Sequence, residues 1–324
     1  MNYLLRRLLH VLAVVAISTS LGFVVLHLVP GDPLGLATEQ AGRSAAARAQ
    51  LQAQYGLDKP LVQQYAAFAK RAVTGNWGVS MVSGRPVGEA LREGLVNTLK
   101  LSGTGLLLAV LLGVSIGAWQ GWRPQSVIGR MLGTVLTGLY VIPEFVVAIT
   151  LITIFSYHLS VFPIGGAMDP VLSVVGSKSQ QTRDQLWHLV LPAVTLGIGW
   201  GAAIARQQRT AVLDTRQEDF VRTARAKGVS ANNVFFRHAF PVALPPVVTV
   251  IGLMLPVLVG GAVVVETVFA WPGLGSLLLK AIGARDYPLV SGAIVLTGFV
   301  VASGSVLTDV VLFALNPRLR AHAQ

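Results

Sequence analysis

The sequence predicts an all-α membrane protein with six transmembrane helices, and three observations carry that prediction. Hydrophobic side chains make up 53% of the 324 residues and charged ones only 12%, whereas a soluble domain is about 25% charged. Apolar stretches of the roughly 20 residues needed to cross a bilayer fall near 9–29, 98–121, 131–156, 187–207, 245–268 and 289–313. The basic residues of the short connecting segments gather on one side of the frame these spans define. The apolar excess excludes a soluble enzyme and a disordered scaffold. A net charge of +11 does not point to nucleic acid, because the basic residues are scattered among apolar spans instead of forming a patch with aromatics. With no cysteine there is no disulfide framework, thiolate nucleophile or thiolate metal site.

The first span follows Arg6 and Arg7. It is longer than the apolar core of about 7 to 15 residues in a signal peptide. No small-residue cleavage pattern stands at Pro30-Gly31-Asp32-Pro33, so it reads as an uncleaved anchor. Residues 30–96 form an extracytoplasmic segment, too long to count in the positive-inside comparison. Within it Ser44 caps a helix over 45–55 ended by Gly56, and Pro60 opens a second helix to about Val73. Gly75-Asn76-Trp77-Gly78-Val79-Ser80 reads as a turn, and 86–92 as a short interfacial helix. A passive lid and a docking surface for an external partner are both open readings of this segment. Residues 97–315 hold the other five spans, and 316–324 form the C-terminal tail. Arg6, Arg7, Arg123, Arg130, Arg206, Arg209, the basic residues of 216–237, Arg318 and Arg320 lie on one side. Only Lys178, Arg183, Lys280 and Arg285 lie on the other. Both termini are therefore expected in the cytoplasm.

The cytoplasmic loop over 208–244 carries the clearest local signals. Thr215-Arg216-Gln217-Glu218 matches a capping box. Glu218 and Asp219 suit the start of a helix, and Arg222, Arg225 and Lys227 its end. Gly228 supplies the stop, Ser230 caps a second short helix to about His238, and Pro241, Pro245 and Pro246 return the chain to the membrane. Ala224 and Ala226 beside Gly228 permit close approach by a partner protein, with the basic residues pairing to its acidic groups. A basic helix lying on anionic headgroups is the alternative.

Arg222-Thr223-Ala224-Arg225-Ala226-Lys227-Gly228, with Pro241 thirteen residues beyond the glycine, resembles the EAA loop of ABC importer permeases. Arg222 and Thr223 stand where the family has Glu and its first Ala, a departure usual in the peptide and nickel branch. Val29-Pro30-Gly31-Asp32-Pro33, Tyr55-Gly56-Leu57-Asp58-Lys59-Pro60, the 75–80 turn, Asn97-Thr98-Leu99, the run from Glu266 to Gly275, Arg285-Asp286-Tyr287-Pro288 and Asn316-Pro317-Arg318-Leu319-Arg320 resemble the same branch. The chain is similar to the first of the two permeases of a dipeptide, oligopeptide or nickel importer. The resemblance implies the type I ABC importer permease fold in the bacterial inner membrane, and a non-catalytic subunit forming half of the translocation pathway. Peptides are the expected cargo, with nickel chelates or glutathione-like peptides as the alternative. It also implies a second homologous permease, two cytoplasmic ATPase subunits that bind the ATP and Mg, and an external binding protein that delivers cargo. No cofactor is expected in this chain. The loop that docks on the ATPase would be carried by Glu218, Asp219, Arg222, Thr223, Ala224, Arg225, Lys227, Gly228 and Pro241.

None of the six lysines follows a glycine, so no phosphate loop ends in Gly-Lys-Ser/Thr. An intramembrane protease is disfavoured: there is no His-Glu-x-x-His, and no Ser-Gly pair has a glycine two positions before the serine. The six histidines are too dispersed in sequence to suggest a metal site. Ionisable groups inside spans are costly and therefore functional suspects. Tyr140, Glu144, which follows Pro143, and Glu266 are the candidates for the path, with a structural role open for each carboxylate. Asp309 is expected to pack against a partner helix or Arg318. Gly103, Gly105, Gly113 and Gly117 can allow close helix packing.

Overall fold

The computed structural model describes residues 3–28, 52–53, 56, 58–260 and 262–315. Among these it is predominantly helical, with one isolated antiparallel bridge between Val79 and Pro86. The expected helix over 45–55, apart from residues 52–53, which are helical, the 29–33 motif and the 316–320 motif lie outside the described residues.

Helix α1 spans Tyr3–Leu28, and α2 spans Leu61–Thr74. The latter begins after Pro60 and ends where Gly75 takes a left-handed conformation, φ 68°, and donates its N–H to the Arg71 carbonyl. Helix α3, Val87–Trp122, absorbs the short helix expected over 86–92, because no proline interrupts the chain between the two. Helix α4, Val127–Val141, is capped by the Ser126 hydroxyl, which accepts from the Gly129 N–H. Pro143 disfavours helical geometry at Ile142, which is extended at φ −72°, ψ 129°. The chain consequently turns by 108° into α5, Glu144–Leu151, which runs on into a π-helical turn over Ile152–His158. The span expected over 131–156 is thus a sharply bent pair.

Asp169 caps the short α6, Pro170–Val175, by accepting from the N–H groups of Val171 and Leu172. Helix α7 runs over Lys178–Gln217 from a capping box formed by Ser177 and Gln180. At 40 residues it is about 60 Å long, twice the roughly 30 Å of bilayer hydrocarbon. Helix α8 is Asp219–Ala226 and α9 is Ala231–Asn233; a π-helical turn over Val234–Ala239 leads into α10, Phe240–Ala243. The span expected over 245–268 is broken into α11 (Pro245–Met254), α12 (Val257–Gly260) and α13 (Val263–Val268). Pro256, which lacks an N–H, separates the first two. Helix α14, Leu274–Gly283, occupies what the sequence suggested was loop, and α15 spans Tyr287–Leu315. By length and composition α3, α7 and α15 can each cross a membrane unaided, and α4 with α5 can do so as a bent pair.

The chain divides into two compact units, one of residues 1–98 and 272–304, the other of 99–271 and 305–324. In the second unit α3 and α7 pack through small residues. A Cβ added at Gly105 would lie 2.8 Å from Leu196 Cβ, at Gly113 2.7 Å from the Gly201 carbonyl oxygen, and at Gly121 2.7 Å from that of Arg209. At Gly117 it would strike the Ala205 carbonyl oxygen and Gln208 Cβ, while Gly197 and Gly201 answer from α7 against Leu108 and Ala109. Gly103 meets nothing within 4 Å and takes no part. Toward α13 the core is closed by Leu101, Leu196, Phe269 and Trp271, all essentially buried.

In the first unit, segments far apart in sequence are clasped by side chains. The buried Asp286 carboxyl group accepts from the Ser80 hydroxyl and from the N–H groups of Met81 at 3.2 Å and Leu289 at 3.3 Å. Thr98 Oγ1 accepts from the Leu274 N–H at 2.8 Å, and Asn97 Nδ2 donates to the Pro272 carbonyl at 3.0 Å. On α1, Ser20 and His27 hydrogen-bond Tyr65 and Gln64 of α2.

Gly117→Val should lower the thermal midpoint of the purified protein, because overpacking costs about 1–3 kcal/mol. Gly103→Val should spare it. Asp286→Ala strands three donors, at about 1–3 kcal/mol for each left unsatisfied, and should make the 76–86 segment sensitive to limited proteolysis.

Candidate functional site

The loop after α7 is built differently from its sequence signature. Thr215 does not cap α8; it is buried, and its hydroxyl donates to the Ala211 carbonyl at 2.8 Å inside α7. The capping-box reading fails because α7 continues through Gln217, leaving Glu218 as the extended N-cap residue, φ −66°, ψ 147°, with no side-chain cap bond. Asp219 then occupies the first turn and Arg225 the last, as the helix dipole favours.

Helix α8 is held on one face and open on the other. Val221 and Ala224 are buried against Val234 and Ala239, with Trp122, Val229 and Phe235 packed around them. Ala224 therefore serves this internal packing, and of the two alanines Ala226 stands exposed with Asp219, Phe220, Arg222, Thr223 and Lys227. Arg222 lies 3.6 Å from Asp219, both highly exposed. The Arg225 guanidinium sits 5.0 Å from the centroid of the Trp122 ring at the end of α3, within cation–π range.

Gly228 ends the helix as its residue type requires, with φ 75°. Its N–H bonds to the Arg225 carbonyl at 3.0 Å and that of Val229 to the Ala224 carbonyl at 3.2 Å, the paired bonds of a Schellman motif. Ser230 holds the next N-cap position without a side-chain bond. Pro241 sits in the first turn of α10, directly after the π-helical turn. With no N–H to give to Arg237 and a ring that would crowd that carbonyl, it accounts for the widening there.

The path candidates stand in three different surroundings. Tyr140 is exposed near the end of α4, with the Arg206 guanidinium 5.5 Å from its ring centroid. Glu144 is half-buried in the first turn of α5, facing Gly199, where an added Cβ would lie 3.5 Å from Glu144 Oε1. Glu266 is fully buried beside Phe269 and Trp271, and its carbonyl accepts from the Trp271 N–H at 2.7 Å. It lies inside a core rather than along an open surface. Asp309 is half-buried on α15, and the side chain of Arg318 lies outside the described residues. Sequence reasoning missed Phe220 and Trp122. A lone aromatic beside Val221 in an otherwise polar segment was the available signal for Phe220; Trp122 had none, since its role depends on where α3 ends relative to α8.

Two family descriptions match the chain: "Binding-protein-dependent transport system inner membrane component" over residues 105–321, and the N-terminal membrane component of the same systems over residues 1–90. The chain is 34% identical to the dipeptide transport system permease protein DppB of Escherichia coli (strain K12), covering 99% of both chains. It is 37% identical to the glutathione transport system permease protein GsiC of Salmonella choleraesuis (strain SC-B67), again covering 99% of both. Among solved structures, an inward-facing MetNI methionine ABC transporter chain aligns with a TM-score of 0.53 at 19% identity, covering 71% of this chain and 98% of that one. The all-helical fold is therefore that of ABC importer permeases. With its long apolar helices, its small-residue packing and its glycine-stopped α8, the chain belongs to the inner-membrane permease family of binding-protein-dependent transport systems.

Proposed function

We propose that this permease pairs with a second, homologous permease to form the translocation pathway of an importer for di- or oligopeptides. Its α8 docks on a cytoplasmic ATPase subunit. In this reading six spans place both termini in the cytoplasm and residues 30–96 outside, where a binding protein delivers the cargo. ATP and Mg are bound, and ATP hydrolysed, in two separate subunits. The dipeptide and glutathione permeases similar to it along the whole chain favour a peptide, with a glutathione-like one as the second reading.

The mounting of α8 is the observation that carries the coupling role. Its inner face is fixed by Val221 and Ala224, Arg225 ties it to Trp122 of α3, and α7 runs directly into it. The opposite face, with Phe220, Thr223 and Ala226, is exposed, and Arg222 pairs at the surface with Asp219. A push on Phe220, Thr223 or Ala226 is delivered to α3 and α7 together, and the glycine packing between those helices makes them move as one body. Rocking of such a pair about the pathway is how closure of two ATPases on ATP would open the path to alternate sides. Glu144, at the bend between α4 and α5, is the path candidate this geometry favours; Glu266 serves the core.

Arg225→Glu and Gly228→Val should both insert in the membrane. In complexes reconstituted with the partner permease and ATPases, each should lose about tenfold or more of the ATP hydrolysis stimulated by loaded binding protein, as expected when a central contact is removed. Stimulation at the unmodified level in both variants would overturn the docking role of α8.

A further inference from the structure

A cavity of about 830 Å³ lies between α4 and α7 in the second unit and belongs to none of the sites above. Among the described residues its lining includes Arg130, Arg206 and Arg209 and no carboxylate. Among the described residues none of the three arginines has an ion-pair partner; Arg206 rests on the Tyr140 ring. Gln120, only 6% exposed, lines the same cavity, and its Nε2 has no hydrogen-bond acceptor. That amide lies against Gly133 of α4, where an added Cβ would be 3.3 Å from Nε2. Gln120 is thus packed behind the wall, and what the cavity itself presents is three uncompensated cations.

The rest of the lining decides what kind of anion fits. Leu136, Val141 and Ile142 face the same space, which suits a ligand with an apolar part. A zwitterion, whether a peptide or a phosphatidylcholine, would bring an ammonium group for which the lining holds no acid. Arg206 and Arg209 directly follow the apolar stretch of α7 that ends at Ala205, the depth at which headgroups lie. We propose that this cavity is a binding site for an anionic phospholipid. Its phosphate is held by Arg130, Arg206 and Arg209, and its acyl chain lies along Leu136, Val141 and Ile142.

Native mass spectrometry of the full-length chain in mild detergent tests this, with phosphatidylglycerol and phosphatidylcholine of identical acyl chains as probes. The unmodified chain should retain phosphatidylglycerol about tenfold more than phosphatidylcholine. Each arginine near a headgroup is worth about fivefold, so R206Q/R209Q should bring the two lipids level. R206K/R209K, which keeps the charge, should preserve the preference, as should R123Q, whose side chain lies outside this lining. Circular dichroism of each variant separates loss of the site from loss of the fold. Equal retention of both lipids by the unmodified chain, or a preference that survives R206Q/R209Q, would overturn the proposal. So would displacement of phosphatidylglycerol by inorganic phosphate or by a dipeptide at millimolar concentration, since either would make the site one for a soluble anion.

Discussion

The close approach of α3 and α7 is the constraint on which the second unit depends. Lipid tails are as apolar as leucine, so burial gives helices in a bilayer little reason to associate. Packing contacts and hydrogen bonds must supply it instead. Gly105, Gly113, Gly117 and Gly121 on α3 face Leu196, Gly201, Ala205, Gln208 and Arg209 on α7 with no room for a methyl group. Dispersion contacts are individually small and accumulate only where surfaces meet along a length; an extended ladder of small residues provides such a length. The buried Gln208, whose amide has no hydrogen-bond partner in the structure, sits in the same seam, where its Cβ fixes how closely Gly117 can approach.

The loop after α7 is an extension of that seam rather than an appendage to it. Trp122, the last residue of α3, packs against Phe235 and Phe240 with Val212 of α7, and also with Val221 and Ala224 of α8. Its ring meanwhile receives the Arg225 guanidinium. One aromatic side chain thus joins the end of the packed pair to the helix that projects from it. The exposed face of α8 is thus carried on a short helix that is anchored on its inner side and stopped by a Schellman turn.

Much of this was legible in the sequence, and the failures have identifiable causes. Apolar runs located the long helices α3, α7 and α15 and Gly228 located the helix stop, because apolar length and the left-handed region of φ can be read directly from residue types. Three of the four glycines singled out on α3 lie in the packing seam; Gly103 does not, since sequence shows that a residue is small but not which way it faces. The Thr215 signature misled because a long helix already running through that position satisfied its backbone groups, leaving the hydroxyl to back-bond to Ala211. The breaks at Pro143 and Pro256 were present as prolines, yet the size of the bend depends on what the next helix packs against. Segments resembling family motifs also proved to include pieces of clasps: Ser80 meets Asp286, and Thr98 meets Leu274. That pairing across the chain was not visible in either segment alone. Glu266, suspected as a path residue because it is ionisable, is enclosed beside Phe269 and Trp271.

The central claim is that the outer face of α8, and not its inner face, meets the ATPase. The absence of cysteine from the chain allows a clean test by single-cysteine cross-linking in the assembled complex. Ala226→Cys, on the exposed face, should cross-link to an ATPase subunit through a short bifunctional reagent, and Ala224→Cys, turned into the protein, should not. Cross-linking from position 224 but not from 226, or from neither, would contradict the account.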